Sequence, residues 1–439
     1  MLRILELSRL SNLLRLLVIS LFILALQGCA ALKGFQEKSW FFSGHPEKEI
    51  ERNEFSLANG DNVIGRLAVI KLEKGDTLPD IARHFSLGIN ALSAANPGVD
   101  IWVPEAGERV LLPLSFILPD ALRKGVVINL ATMRLFEYRD YGTSLVVSTY
   151  PVGVGAEDRP SPMGHMYVVR KTVHPTWHVP ASIAESHRKK GDILPASVPP
   201  GPDNPLGDYA LYLSRSGYLM HGTNKPASIG LRATNGCIRL YPEDVKRFYG
   251  DTPVKTPVLI VNQPYLLGQR NGVVYLEAHV PPEGLDAVDF DTIYAKLKKI
   301  EKDSGRALDW SKVKEVRTEA RGIPVPIFEL RRGSENEVPD PIKVEHPDSL
   351  YGKPEIPELK LEAWYVLAAD VSDEIEAQRI AAIINHQGPP IPARVISSSK
   401  GYRVIAGPFT DVGEAKEAAK RLKIDLDIDG VVIDPVRKG

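Results

Sequence analysis

From residue 114 to 280 the chain is written in short apolar and β-branched runs, and that pattern limits its fold more than any other feature. Val126–Leu130, Met133–Tyr138, Ser144–Val152, Tyr167–Arg170, Ala210–Leu213, Tyr218–His221 and Val258–Val261 are separated by Gly, Pro, Asn and Asp. Runs of this length between turn formers predict strands rather than helices. Ser182 and Glu185 have the spacing of a capping box and predict one helix, ending before Gly191. Pro195–Gly207 is dense in Pro and Gly and predicts a long, ordered loop. The span is expected to be a mainly-β domain with long loops.

The flanking spans have other textures. Residues 30 to about 66 are polar and predict a tether with a first strand. Within 66–113, Leu67–Ile70 reads as a strand, and Lys74-Gly75-Asp76-Thr77 supplies a turn and a helix cap. Pro79 sits in a first helical turn, where its missing N–H is tolerated. Ile81, Ala82 and Phe85 have helical spacing, a second short helix spans Asn90–Ala95, and Arg109–Leu112 closes a strand–helix–helix–strand unit. Residues 281–360 are charged and Pro-containing. They predict a linker with one helix, whose stripe is Phe290, Ile293, Leu297 and Ile300. Residues 361–439 read as βαββαβ, a ferredoxin-like order: strand Ala363–Ala369, helix Asp373–His386 with Ile375, Ile380, Ile383 and Ile384 inward, strands Arg394–Ser397 and Tyr402–Ala406, a helix capped by Asp411 and Glu414, and strand Val431–Ile433. The expected fold class is multidomain α+β.

Bulk numbers narrow the function. Lys+Arg 54 against Asp+Glu 55 leaves a net charge of -1, so nothing grips a nucleic acid electrostatically. There are two cysteines, and they have different settings. Arg3, Arg9 and Arg15 give a positive start, Leu13–Leu26 is apolar but short for a spanning helix of ~20 residues, and Leu26-Gln27-Gly28-Cys29 follows. That ending resembles a lipobox. The resemblance implies that residues 1–29 are a lipoprotein signal peptide, that Cys29 is lipidated, and, with Ala30 next, that the chain is anchored at the outer membrane in the periplasm. Cys237 is then the one thiol left, and an unpaired cysteine in an exported protein is a candidate reactive group.

The densest chemistry is Met220-His221-Gly222-Thr223, a loop, then Thr234-Asn235-Gly236-Cys237-Ile238-Arg239. Cysteine attacks an acyl carbon as thiolate, so it needs a base or a cation nearby. A strand ending at His221 beside an extended segment at Cys237 would bring imidazole to thiol. Gly236 would let the backbone approach the attacked carbonyl, with N–H groups there as oxyanion donors. Arg239, two residues on, would share the face of Cys237 and draw a substrate carboxylate. A core histidine and an inert thiol would explain either residue alone, but not the combined pattern.

This pattern resembles the YkuD-type L,D-transpeptidases, whose signature is His-Gly followed downstream by Ser-His-Gly-Cys-(Ile/Val)-Arg. The likeness covers about 114–280, and Gly201-Pro202-Asp203-Asn204-Pro205-Leu206-Gly207 also looks like that family. It implies Cys237 as nucleophile, His221 as base, the Gly222 carbonyl holding the imidazole tautomer, and Arg239 supporting the site, with Thr234, Asn235 and Gly236 as backbone support. Thr234-Asn235 departs from Ser-His, so a second histidine's role is absent. Gly75-Asp76-Thr77-Leu78, Asn96-Pro97 and Val110-Leu111-Leu112-Pro113 resemble a LysM glycan-binding module. Gly401 to Phe409 and the Ala-rich helix after it resemble a SPOR domain, a family that binds glycan strands stripped of peptides.

The implied reaction is attack by Cys237 on the stem peptide after diaminopimelate, loss of D-Ala, and transfer of the thioester to an amine. The acceptor is a second stem, giving a 3→3 cross-link, or a lysine of an outer-membrane lipoprotein. No metal or other cofactor is implied. NlpC-type hydrolases place Cys before His, and sortases separate the two far more widely. Two alternatives stay open: an L,D-endopeptidase or carboxypeptidase of the same family, and a non-catalytic peptidoglycan-binding scaffold.

Overall fold

A computed structural model describes residues 53–57, 60–142, 144–281, 290–329 and 340–434. The expected signal peptide, with Cys29, lies outside the described residues. None of the described helices is long and apolar enough to cross a membrane.

The first elements are β1 (Glu54–Leu57), β2 (Val63–Gly65), β3 (Ala68–Lys71), α1 (Leu78–His84), α2 (Ile89–Ala95), β4 (Arg109–Leu112) and β5 (Ser115–Ile117). β3 and β4 pair antiparallel around the two helices, the strand–helix–helix–strand order anticipated from caps and spacing. Thr77 Oγ1 accepts the Asp80 N–H at 3.2 Å and caps α1. Buried Asn96 ties α2 to β4: its amide donates to the Leu92 and Leu111 carbonyls, both at 2.8 Å, and its oxygen accepts the Leu111 N–H at 2.7 Å.

There follow β6 (Gly125–Asn129), β7 (Arg134–Asp140), β8 (Leu145–Pro151), β9 (Val154–Gly155), β10 (Gly164–Val173), β11 (Trp177–His178), α3 (Ala181–Lys189), β12 (Ser197–Val198), β13 (Tyr209–Leu213), β14 (Leu219–His221), β15 (Arg232–Thr234), β16 (Ile238–Arg239), α4 (Pro242–Asp251) and β17 (Pro257–Val261). Nine strands share one sheet in the order β1-β8-β7-β6-β17-β10-β13-β14-β16. β6, β7 and β8 form an antiparallel meander. β17 returns to lie parallel to β6 and receives β10 on its other side. Val126, Ile128, Tyr150, Val168, Leu211, Met220, Ile238 and Phe248 fill the core beneath, and burial of this apolar surface fixes the register. The sheet therefore ends at β14 and β16.

Two local expectations fail here. Ser182 and Glu185 do not cap α3: Pro180 holds the N-cap position, with no side-chain cap bond. Its φ of -62° already suits a helix entry. Helix α4 was not anticipated, because it buries only Asp244, Val245 and Phe248, too few to leave an apolar period.

The span expected to be a linker with one helix is more structured. β18 (Tyr265–Arg270) and β19 (Val273–Ala278) precede α5 (Asp291–Ser304), α6 (Trp310–Glu319) and β20 (Val325–Glu329). β18, β19 and β20 form a sheet packed against Phe290, Ile293, Leu297, Val313 and Val316. Each helix gives the core two or three side chains and is otherwise charged, so composition reads as linker. β21 (Ile342–Lys343) then lies parallel to β3 and covers its edge. Val344 and Leu350 enter the same core as Leu78 and Ile81, and His346 Nε2 meets Asp76 Oδ2 at 2.9 Å.

The C-terminal unit is βαββαβ as expected: β22 (Trp364–Val371), α7 (Glu374–Asn385), β23 (Ala393–Ser398), β24 (Gly401–Phe409), α8 (Val412–Leu426) and β25 (Val431–Ile433), with strand order β23-β24-β22-β25. Asp411 Oδ1 accepts the Gly413 and Glu414 N–H groups at 2.6 and 3.0 Å and caps α8. Ile375, expected inward, is exposed, and Ala377, Ala381 and Ile384 make the buried face of α7.

Candidate functional site

β14 and β16 are parallel neighbours, with Met220 opposite Ile238 and His221 opposite Arg239. Cys237 leads directly into β16 and precedes Arg239 by two, the spacing that returns side chains to one face of an extended segment. The Arg239 charge accordingly acts on both the Cys237 thiol and the His221 ring. The sequence thus lays the segment that starts at Cys237 alongside the strand that ends at His221, sixteen residues earlier, by pairing β14 with β16 across an excursion.

A tight turn sets the approach to Cys237. The buried Thr234 hydroxyl donates to the Cys237 carbonyl at 2.7 Å and accepts the Gly236 N–H at 3.1 Å. Gly236 has φ +97°, and a Cβ there would lie 2.7 Å from Tyr218 Cε1 and 3.2 Å from the Pro160 carbonyl. Only glycine fits without strain. Asn235 is exposed, and its side-chain oxygen accepts from Arg159.

His221 is buried, 4% exposed. Its Nδ1 lies 2.7 Å from the Gly222 carbonyl, so Nδ1–H donates there and Nε2 keeps its lone pair. Burial, then the Arg239 charge, hold its pKa down to about 3, against weaker support from the Gly222 and Leu206 carbonyls. At neutral pH the imidazole is uncharged. The half-buried Cys237 thiol donates to the Gly217 carbonyl across 3.8 Å. Burial raises its pKa, and the Leu219 N–H and Arg239 offset this only in part. The resting pair is therefore neutral imidazole and thiol.

Several supporting residues carry no chemical signature in sequence. Arg239 Nη1 donates to Ser228 Oγ at 3.2 Å, while its buried Nε has no partner among the described residues. Gly153 exchanges two 2.9 Å main-chain bonds with Arg239, and a Cβ on it would lie 2.8 Å from the Ser228 carbonyl. In the loop before β13, fully buried Asn204 donates to the Pro175 and Pro199 carbonyls at 2.7 and 3.1 Å and accepts the Leu206 N–H at 2.9 Å. That loop closes on the segment just after His221: a Cβ on Gly207 would lie 2.9 Å from the Thr223 nitrogen. Among the described residues, no group of three or more His, Cys, Asp or Glu side chains is gathered to hold a metal ion. A neutral base, a thiol and a fixed guanidinium on one sheet edge are equipped for acyl transfer.

The YkuD family, the L,D-transpeptidase catalytic domain, matches residues 123–260, and the SPOR domain matches 360–434. "Probable L,D-transpeptidase ErfK/SrfK" of Salmonella typhimurium LT2 is 36% identical over 299 residues, covering 64% of this chain and 95% of that protein. "Probable L,D-transpeptidase YbiS" of Escherichia coli K12 is 39% identical over 227 residues, 51% of this chain and 73% of that one. "Probable L,D-transpeptidase YcfS" of the same organism is 41% identical over 212 residues, 47% and 66% respectively.

Proposed function

This chain belongs to the L,D-transpeptidase family and acts on peptidoglycan, and we propose that Cys237 is its nucleophile and His221 its base. The observation that carries the reading is the facing of His221 and Arg239 on paired strands, with Cys237 at the entry of the second. Because the thiol is held above its ordinary pKa and the imidazole below, the proton moves during attack rather than before it. Sulfur bonds to the carbonyl carbon of diaminopimelate while His221 Nε2 takes the thiol proton. The tetrahedral oxyanion collapses, the D-Ala amine leaves with that proton, and a thioester remains. An acceptor amine then attacks, gives its proton to Nε2, and the thiol is restored. The Gly236 N–H is already engaged by Thr234, which leaves the Cys237 N–H as the oxyanion donor of that turn.

The finer reading follows from the chain's other parts. The βααβ unit of residues 66–113 is a LysM-like glycan-binding module. The SPOR domain, at 361–439, gathers the enzyme where glycan is bare of peptides, at division sites. Cys29 carries lipid and anchors the chain at the outer membrane from the periplasm. The acceptor amine belongs to a second stem peptide or to an outer-membrane lipoprotein. Mass analysis of carbapenem-treated protein tests the nucleophile: an adduct on the wild type that is lost in Cys237→Ala is expected, and an unmodified wild type leaves a scaffold. Muropeptide masses from sacculi with and without active enzyme separate cross-link, tether and hydrolysis. Tagged protein deleted for 361–439 is expected to lose septal enrichment, and an unchanged distribution rejects that role.

A further inference from the structure

The excursion that joins His221 to Cys237 is gripped from two sides by parts of the chain outside the catalytic domain. On one side stands the βααβ unit. The Ile89 N–H donates to the Ile229 carbonyl at 3.2 Å. Gly88 and Gly230 meet so closely that a Cβ on Gly230 would lie 2.6 Å from the Ile89 nitrogen. On the other side stands the SPOR domain. A Cβ on Gly388, just after α7, would lie 1.6 Å from the Asn224 carbonyl oxygen and 2.8 Å from Lys225 Cα. Lys225 Nζ pairs with Asp425 of α8 at 3.4 Å, and Lys420 of α8 reaches Asp192, beyond α3, at 3.6 Å.

The two gripping bodies are also joined to each other. His386 Nε2 meets Asp80 Oδ1 at 3.0 Å, and Arg379 meets Asp100 at 2.6 Å. The SPOR domain thus bears on main chain only two residues beyond Gly222, whose carbonyl orients the imidazole. No tether needs such a contact. A tether raises local concentration and acts equally well through any flexible linker.

We propose that the SPOR domain is a positioning element of the catalytic site. The Gly388 turn and the Lys225–Asp425 pair hold Asn224 and Lys225, and through them Gly222 and the His221 ring. The inference rests on His221 acting as base. Displacing a catalytic group by ~1 Å costs on the order of a hundredfold in rate, so even a modest shift of this segment is measurable.

The test uses the full chain and a soluble tetrapeptide, L-Ala–D-isoglutamate–diaminopimelate–D-Ala, which offers no glycan to bind. D-Ala release gives kcat and KM for Asp425→Lys, Lys225→Asp, the double exchange and Gly388→Val. Asp425→Lys places like charges together and should lower kcat about three- to fivefold, the range for a partly exposed pair, with KM unchanged. The double exchange should restore it. Gly388→Val, which forces the domain off Asn224, should lower kcat by about tenfold or more. Melting curves and sedimentation with sacculi report whether Asp425→Lys remains folded and wall-binding, as expected. Wild-type kcat in both Asp425→Lys and Gly388→Val, or a double exchange that restores nothing, overturns the proposal. Turnover by the wild type in the same assay separately tests the reading that the chain cleaves this donor by acyl transfer.

Discussion

His221 lies opposite Arg239 on the neighbouring parallel strand, so its imidazole sits beside a permanent positive charge. An imidazolium there would be both buried and repelled. The ring consequently stays neutral far below the pH at which an ordinary histidine charges.

The first prediction concerns rate. Carbapenem acylation of Cys237, followed by mass, should show no acid limb between about pH 5 and 7, where a free histidine titrates. The acid limb belongs near the His221 value of about 3. A limb centred in the ordinary histidine range would contradict a neutral buried base.

Asp244 makes the second prediction, through stability. Burial, then Glu243, raise its carboxyl from 3.8 to about 7, against Ser86 and Arg134. Folded protein holds this proton where unfolded chain has lost it, so the contribution is complete below the unfolded pKa and disappears as pH rises through about 7. Between pH 5 and 8 the wild type should lose on the order of 2 kcal/mol relative to Asp244→Asn. Denaturant titrations at the two pH values check this, and parallel losses would contradict it.

Gly236→Ala is the third. The added methyl meets Tyr218 and the Pro160 carbonyl, and φ +97° disfavours any side chain. Relief requires the turn before Cys237 to move, so acylation should slow at least about tenfold, with stability lower by about 1–3 kcal/mol. Wild-type acylation kinetics would show that the turn does not set the nucleophile.

Much of this site was legible because reaction chemistry restricts side-chain types. His221, Cys237 and Arg239 stood out from the motif alone, and the structure sets His221 opposite Arg239 with Cys237 at the entry to β16. Gly153, Ser228 and the Leu206 carbonyl stayed hidden, because a glycine, a serine and a peptide oxygen acquire meaning only from what they touch. The βααβ and βαββαβ units were readable from caps and periodicity. Helices α4 and α6 were not, since each buries only two apolar side chains, where α5 carries the four-residue stripe Phe290, Ile293, Leu297 and Ile300. Ile375 shows the reverse error: an apolar residue suggested a face that the packing of α7 does not use.

Asn204 gives the fourth prediction. Its amide satisfies carbonyls of Pro175 and Pro199 inside the loop that closes on Thr223. Asn204→Ala removes the donor, and the unpaired carbonyls should loosen residues 195–207 at a cost of about 1–3 kcal/mol. Limited proteolysis should cut this loop faster than wild type while the C-terminal unit stays intact. Equal cutting rates would mean that the loop is held by other bonds.

The strand β21 has a consequence for biosynthesis. It completes the edge of β3, yet it is synthesised more than two hundred residues after β4. A polypeptide emerging from its amino end therefore presents an unfinished N-terminal module throughout translation of the catalytic portion. Closing so distant a contact is slow, because chain entropy must be lost before the pairing gives anything back. Maturation of the first-made module waits for the last third of the chain.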